Sequence, residues 1–276
     1  MSENEMQNSN LEIENISSED DELELTSCKK PKGYFCEGAI QTFMIAFGVI
    51  FLLCQFVFQI ILTPIQVVGS SMQPTINMSV LSDHDEDHSD IVYYRANSSY
   101  KNGDVVIVSN ESLDYISDPD VEFLIKRVIA LPGQTITFFL TAVVDTDPSP
   151  TISYNHYYYD FVVKDENGNP VDIDDSFVKE EMFFTDSEYF SYQRFETYKA
   201  IFQNLYHYSN DENRAKSTIT VSPNTYFVMG DNRNHSTDSR VFGSVKLEHI
   251  CGEVKLQIPY GDSLLKAILN KIKSLI

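Results

Sequence analysis

From Gly38 to Thr63 the chain reads GAIQTFMIAFGVIFLLCQFVFQIILT, a run without a single charged residue. It exceeds the roughly 20 residues that a helix needs to cross the hydrocarbon core of a bilayer, so the pattern predicts a transmembrane helix, with its flanks residues 34–63. A cleaved targeting peptide fits less well. Its apolar stretch is shorter and starts near the N-terminus, whereas here an acidic tail rich in Ser and Asn, residues 1–33, comes first. After the span the period changes. DIVYYRA, GDVVIVSN, EFLIKRVIAL, QTITFFLTAVV and STITVSPNTYFVMG are short runs rich in Val, Ile, Thr, Tyr and Phe. Asn102-Gly103, Pro132-Gly133, Asn167 to Pro170 and Ser222 to Asn224 punctuate them as turns. The expectation is a mainly β domain over residues 64–260, antiparallel and coiled, with a variable insertion at 141–222.

Two segments break the β texture. Asp186 to Tyr208, DSEYFSYQRFETYKAIFQNLYHY, has no Gly or Pro and predicts a helix whose aromatics pack rather than stack on a ligand. At the end, residues 261–276, Leu264, Leu265, Ile268, Leu269, Ile272 and Leu275 fall on one helical face, with Lys266, Lys271 and Lys273 away from it. That helix is too short and too charged to cross a membrane, and suits either an interfacial position or packing against the domain.

Charge sets the orientation. Lys29, Lys30 and Lys32 precede the span, while the first charges after it are Asp83, Asp85, Glu86 and Asp87, which places the N-terminus in the cytoplasm and the β domain outside. Gln41, Gln55 and Gln59 share a face of the span, either to meet another membrane protein or simply as tolerated polar groups. A formal net charge of -21 excludes a nucleic-acid partner, since phosphate binding needs clustered Lys and Arg. Four cysteines, Cys28, Cys36, Cys54 and Cys251, show neither a disulfide framework nor zinc spacing. DHDEDHSD, Asp83 to Asp90, reads as a solvated acidic loop, because no Gly-centred calcium-loop spacing accompanies it. Nothing in the sequence calls for a cofactor or a metal.

The familiar hydrolase plans fail. H-E-x-x-H, G-x-S-x-G, a phosphate loop and a dinucleotide fingerprint are absent, and the six histidines have no distinctive flanks. What remains is a serine in the turn VVGSSMQPT and a lysine inside an apolar strand. Strand alternation sets Lys126 with Leu124 and Val128, and Arg127 with Ile125 and Ile129. A buried lysine gives up its proton more readily, because desolvation disfavours the charged form, and a serine beside a neutral amine is a nucleophile with its base. A lysine on an edge strand, snorkelling to water, has the same local sequence. A third segment, YFVMGDNRNHSTDSRVFGSV, packs Gly230, Asp231, Asn232, Arg233, Ser236, Asp238, Ser239 and Arg240 between two apolar strands. Within it Asp238 and Arg240 can pair as a scaffold, and Ser236 can orient an amine.

In this order, and after a membrane span, these segments resemble the boxes of the bacterial type I signal peptidases, membrane-bound serine proteases of the Ser-Lys class. Ser71-Met72-Gln73-Pro74-Thr75 matches S-M-x-P-T, and Gly103-Asp104-Val105-Val106-Ile107 matches the G-D-hydrophobic box. Lys126-Arg127-Val128 through Leu131-Pro132-Gly133 matches K-R-V-x-x-x-P-G. Gly230 to Arg233, Ser236 and Asp238 to Arg240 match G-D-N-R-x-x-S-x-D-S-R. The likeness runs from Gly38 to about Val254. It implies that Ser71 Oγ attacks the substrate carbonyl at the membrane surface, Lys126 acts as base and then acid, and Ser236 holds the Lys126 amine. Asp238 and Arg240 would stiffen that turn, and the Ser71 amide would serve the oxyanion; Gly69 stands where some members carry a second, hydroxyl donor. Shallow pockets for small residues would be lined by Ile65, Val67, Val68, Met72 and Ile125.

The resemblance further implies a single-pass protein of the bacterial cell membrane. Its partners would be secreted preproteins with small residues before the cut, membrane lipid and the protein-export translocon. A peptidase dedicated to a few surface-fibre subunits shares every one of these features. A membrane-anchored extracellular binding module explains the anchor and the acidity, and leaves the buried lysine and the last box without a purpose.

Overall fold

The computed structural model describes residues 34–79, 88–110, 122–145 and 155–274. The N-terminal tail, residues 1–33, and most of the acidic loop, including Asp83 to Asp87, lie outside the described residues. α1 spans Tyr34–Ile61, and its stretch Gly38–Phe56 is long and apolar enough to cross a membrane. Phe43, Ile45, Phe47, Leu52 and Phe56 are exposed along it, as an element solvated by lipid requires.

The rest of the chain is built on two antiparallel sheets. In the first, β1 (Thr63–Gln66), β2 (Ile91–Arg95), β3 (Val105–Ser109), β4 (Phe123–Ala130), β10 (Thr225–Met229), β11 (Val245–Lys246) and β12 (Ile250–Ile258) lie in the order β1-β2-β12-β3-β4-β10-β11. The second has the order β7-β6-β5-β9, from β5 (Thr135–Asp145), β6 (Asn155–Lys164), β7 (Pro170–Val171) and β9 (Lys216–Thr220), and β8 (Met182–Thr185) pairs with β6. β4 runs into this second sheet through the Pro132-Gly133 turn, and the chain returns through Ser222 to Asn224 into β10, the neighbour of β4. The second sheet is therefore inserted between two adjacent strands of the first. Gly133 N–H donates to Val221 O and Val221 N–H to Gln134 O, which close the neck of the insertion.

Its aromatics build the largest core. Phe138, Tyr159, Phe161, Phe184, Tyr189 and Phe202 pack with Ile129, Phe227 and Met229 of β4 and β10, so the insertion and the first sheet share one apolar cluster. The expected single helix from Asp186 to Tyr208 is two helices, α2 (Asp186–Tyr192) and α3 (Glu196–His207). A capping box between Thr185 and Glu188 starts α2. Phe195 takes an extended conformation between them, and Tyr192 and Phe195 turn onto the core; tertiary packing overrides a sequence without breakers. α3 buries Tyr198, Ile201, Phe202 and Leu205, the spacing of one helix face.

Two further expectations change. The acidic segment ends in buried groups: Asp90 accepts from Gln257 Nε2 at 2.7 Å and from the Tyr260 amide at 2.9 Å, so it is a structural carboxylate and not part of a solvated loop. After β10 comes a short helix, α4 (Ser239–Phe242), and the last helix, α5 (Leu264–Lys273), divides its apolar residues. Leu264, Ala267 and Ile268 pack on Leu256, Ile258 and Tyr93, while Leu265, Leu269 and Ile272 remain exposed.

Candidate active site

The turn after β1 is fixed from below and from the side. Val67 and Met72 are buried with Ile76, Val92, Ile107 and Ile125, anchoring both ends of the segment that carries Ser71. Gly69 has φ 93°, a left-handed conformation that favours glycine and reverses the chain at this point. Asn77, fully buried, completes the loop: its Nδ2 donates to Val67 O at 2.7 Å and to Gly69 O at 3.0 Å. Its Oδ1 accepts from the Asp90 amide, and Asp90 Oδ2 accepts from the Asn77 amide, both at 2.8 Å. Asn77 itself sits at φ 62°, which Asn tolerates better than most residues.

β4 brings Lys126 beneath this turn. The side chain is 2% exposed, and its Nζ lies 2.9 Å from Ser71 Oγ and 2.9 Å from Ile125 O. Burial pushes the ammonium down from 10.5 to about 8; Asp238 and Asp231 pull it up, and Arg240 adds to the fall. About a tenth of the amine is therefore neutral at pH 7 and half at pH 8. The neutral amine can accept the Ser71 hydroxyl proton along the same 2.9 Å line. Among the described residues the Ser71 N–H donates to no protein acceptor, which leaves it free for a substrate oxygen.

The segment after β10 holds Ser71 from the other side. The Asn232 amide donates to Ser71 O at 3.0 Å, and Asn232 Nδ2 donates to Ser70 O at 3.2 Å. Gly230 is obligatory at this approach, because a Cβ there would stand 2.5 Å from Ser71 O and 2.3 Å from Ser236 Oγ. Asp231 takes a two-pronged bond from Arg127, at 2.7 and 2.6 Å, which ties the turn to β4. Asp238 and Arg240 form a second two-pronged pair, at 2.9 and 2.8 Å, both side chains buried. Burial alone would raise the Asp238 carboxyl, but the Arg240 guanidinium and the Gly230 and Arg240 amides hold it below the usual carboxylate range.

The insertion reaches into the same turn. Arg240 Nη1 donates to Tyr159 OH of β6 at 2.8 Å, and Arg233 makes an ion pair with Asp175 at 2.5 Å. Asn234 Oδ1 accepts from the Phe183 amide of β8, and Phe177 lies under the Arg127 guanidinium at 4.4 Å. Sequence reasoning had no signal for these contacts, because each joins residues far apart in the chain, nor for the role of Asn77, which no pattern singles out.

Ser236 and the expected pocket residues complete the set. Ser236 Oγ is buried but makes no hydrogen bond, and the Lys126 amine spends its contacts on Ser71 and Ile125 instead. Of the five residues expected to line pockets, Val67, Met72 and Ile125 are core residues whose surface is already covered, Ile65 is half-buried beside them, and Val68 is exposed. Two grooves lie beside this turn. One of about 310 Å³ opens two residues past Ser71, between Gln73-Pro74, Val178 to Glu180 of the insertion and Asn232 to His235.

A family model described as signal peptidase, peptidase S26, matches residues 38–259. Signal peptidase IB of Staphylococcus aureus (strain COL) is 25% identical over 235 residues, which cover 81% of this chain and 92% of that protein. Signal peptidase I of Buchnera aphidicola is 26% identical over 258 residues, 82% of this chain and 79% of that one. A crystal structure of a signal peptidase I from Enterococcus faecalis V583 aligns with 57% of this chain and 98% of its own at 20% identity and a TM-score of 0.28, too low to bear on the details above.

Proposed function

The chain belongs to the signal peptidase family, peptidase S26, and on that premise we propose that it removes signal peptides by a Ser71-Lys126 pair acting on preproteins at the outer face of a bacterial membrane. The observation that carries this reading is the buried Lys126 amine, brought down to about 8 and held 2.9 Å from Ser71 Oγ. Neutral Lys126 takes the hydroxyl proton as Ser71 Oγ attacks the carbonyl carbon at the cleavage site. The C–O bond forms and the carbonyl electrons move to the oxyanion, which the free Ser71 amide meets. As the C–N bond breaks, Lys126 returns the proton to the leaving amine, and the signal peptide remains as an ester on Ser71. Water, deprotonated by the same amine, then hydrolyses the ester.

The remaining polar groups position this pair. Arg127-Asp231 and Asp238-Arg240 are buried charges that compensate each other and fix the turn against β4. Ser236 Oγ, buried and unpartnered, is the hydroxyl available to the Lys126 amine once the Ser71 oxygen is committed to substrate. With α1 as a single span and Lys29, Lys30 and Lys32 on its cytoplasmic flank, residues 64–260 form the extracytoplasmic catalytic domain. The span and the export translocon would bring signal peptides to the site.

The test is cleavage of a preprotein with an Ala-x-Ala site by the full chain in liposomes, with the new N-terminus sequenced. A single cut after the second Ala is expected. No cleavage of this or any exported precursor, with the protein folded, would overturn the reading and favour a binding module.

A further inference from the structure

α5 lies beyond the part of the chain that the family shares, whose match ends at residue 259. Its ten residues present three sectors. Leu264, Ala267 and Ile268 dock it on β12 and Tyr93. Next to that sector Leu265, Leu269 and Ile272, spaced four and three apart, are 68%, 49% and 48% exposed. Lys266, Asn270 and Lys273 follow on the far side of the row, all exposed. The helix is thus pinned to the domain by one sector and shows an unpaired apolar row with a basic border by another.

The occupant follows from charge and size. From Leu264 onward the sequence holds Lys266, Lys271 and Lys273 and no acid, in a chain whose net charge is -21; Lys266 is ion-paired with Asp262 at 2.5 Å, which leaves Lys271 and Lys273 to set the charge of the helix. An apolar helix with a basic border is complementary to an anionic surface. Three side chains also fall far short of the roughly 800 Å² per partner of a standard protein interface. The chain carries its own membrane span, so a bilayer is present at high effective concentration. We propose that Leu265, Leu269 and Ile272 of α5 rest in the interface of an anionic bilayer, with Lys273 at the level of the lipid phosphates. This second foothold would fix how the domain lies on the membrane. It stands whether or not Ser71 and Lys126 are the reacting pair.

The chain has no Trp, so Leu269→Trp gives the full-length protein a single indole at the centre of the row. It is reconstituted in phosphatidylglycerol-rich vesicles and in phosphatidylcholine vesicles, with and without acyl-chain bromine. The expected result is blue-shifted emission in the anionic vesicles, mostly lost when the lipids are brominated, and a weaker effect in the neutral ones. Leu265→Trp, on the same row, repeats the reading should position 269 disturb the fold. Emission typical of water in anionic vesicles overturns the proposal. So does blue-shifted emission that brominated lipid leaves intact, since the row would then be covered by protein.

Discussion

Replacing Lys126 by Met should make the protein more stable while abolishing activity. The lysine is charged in the unfolded chain below 10.5, and in the folded protein burial brings it to about 8. Below pH 8 both states are protonated, and the folded state carries the full cost of the buried ammonium. At about 1.4 kcal/mol per pH unit, the fall from 10.5 to about 8 amounts to ~3 kcal/mol. Met fills a similar volume without charge, and forfeits the bonds to Ser71 Oγ and Ile125 O, worth about 1 kcal/mol each at most. The net gain at pH 7 is about 1 to 3 kcal/mol, or roughly 3 to 10 °C in Tm for a domain of this size. The sign with pH is fixed. Between 8 and 10.5 the unfolded wild type binds more protons than the folded one, so wild-type stability rises with pH and the advantage of the variant disappears by about pH 10.5. Thermal unfolding of both proteins in one detergent, followed by the near-ultraviolet signal of the buried tyrosines, measures the gap; titrations common to both cancel. A variant no more stable at pH 7, or a gap that does not narrow between pH 8 and 10.5, would refute a buried, destabilising amine.

The same amine sets the rate: kcat/KM should rise about tenfold per pH unit up to about 8 and level off above it, and a profile flat from pH 6 to 9 would contradict Lys126 as base. Gly230→Ala forces Ser71 O or Ser236 to move, and a displacement of this kind should lower cleavage at least ~100-fold, checked beside the folded signal of the protein. Ser236→Ala should leave stability within about 0.5 kcal/mol, because its Oγ has no partner, yet reduce kcat with little change in KM. Asp175→Asn leaves the buried Arg233 charge uncompensated; since Asp175 is 33% exposed, a loss of about 1 to 3 kcal/mol in chemical denaturation is expected, together with slower cleavage if the insertion braces the turn.

The apolar strands, the apolar span and the boxes that carry Ser71 and Lys126 were legible because each is local: alternation, an uncharged run, or residues within one short turn. Lys126 announced itself as a cation among Phe, Leu, Ile and Val. The supports of the site were not legible, because they are meetings across the fold. Asn232 reaches Ser71, Arg127 reaches Asp231 and Arg240 reaches Tyr159 only after β4 and β10 have paired around the insertion. Asn77 and Asp90 looked like loop residues, and only their mutual hydrogen bonds make them the frame of the Ser71 turn. The break between α2 and α3 has no local cause either; the core claims Tyr192 and Phe195. Period alone does not say which apolar side chain is covered, as Met72 is.

The account turns on Ser71 and Lys126 reacting as one unit 2.9 Å apart. Its most direct test is the initial rate of preprotein cleavage by the wild type, Ser71→Ala, Lys126→Ala and, as a neighbour control, Ser70→Ala, all in the same liposomes. Loss of cleavage in the Ser71 and Lys126 variants alike, with Ser70→Ala active, is the predicted result. Cleavage that survives loss of either Ser71 or Lys126 would contradict it.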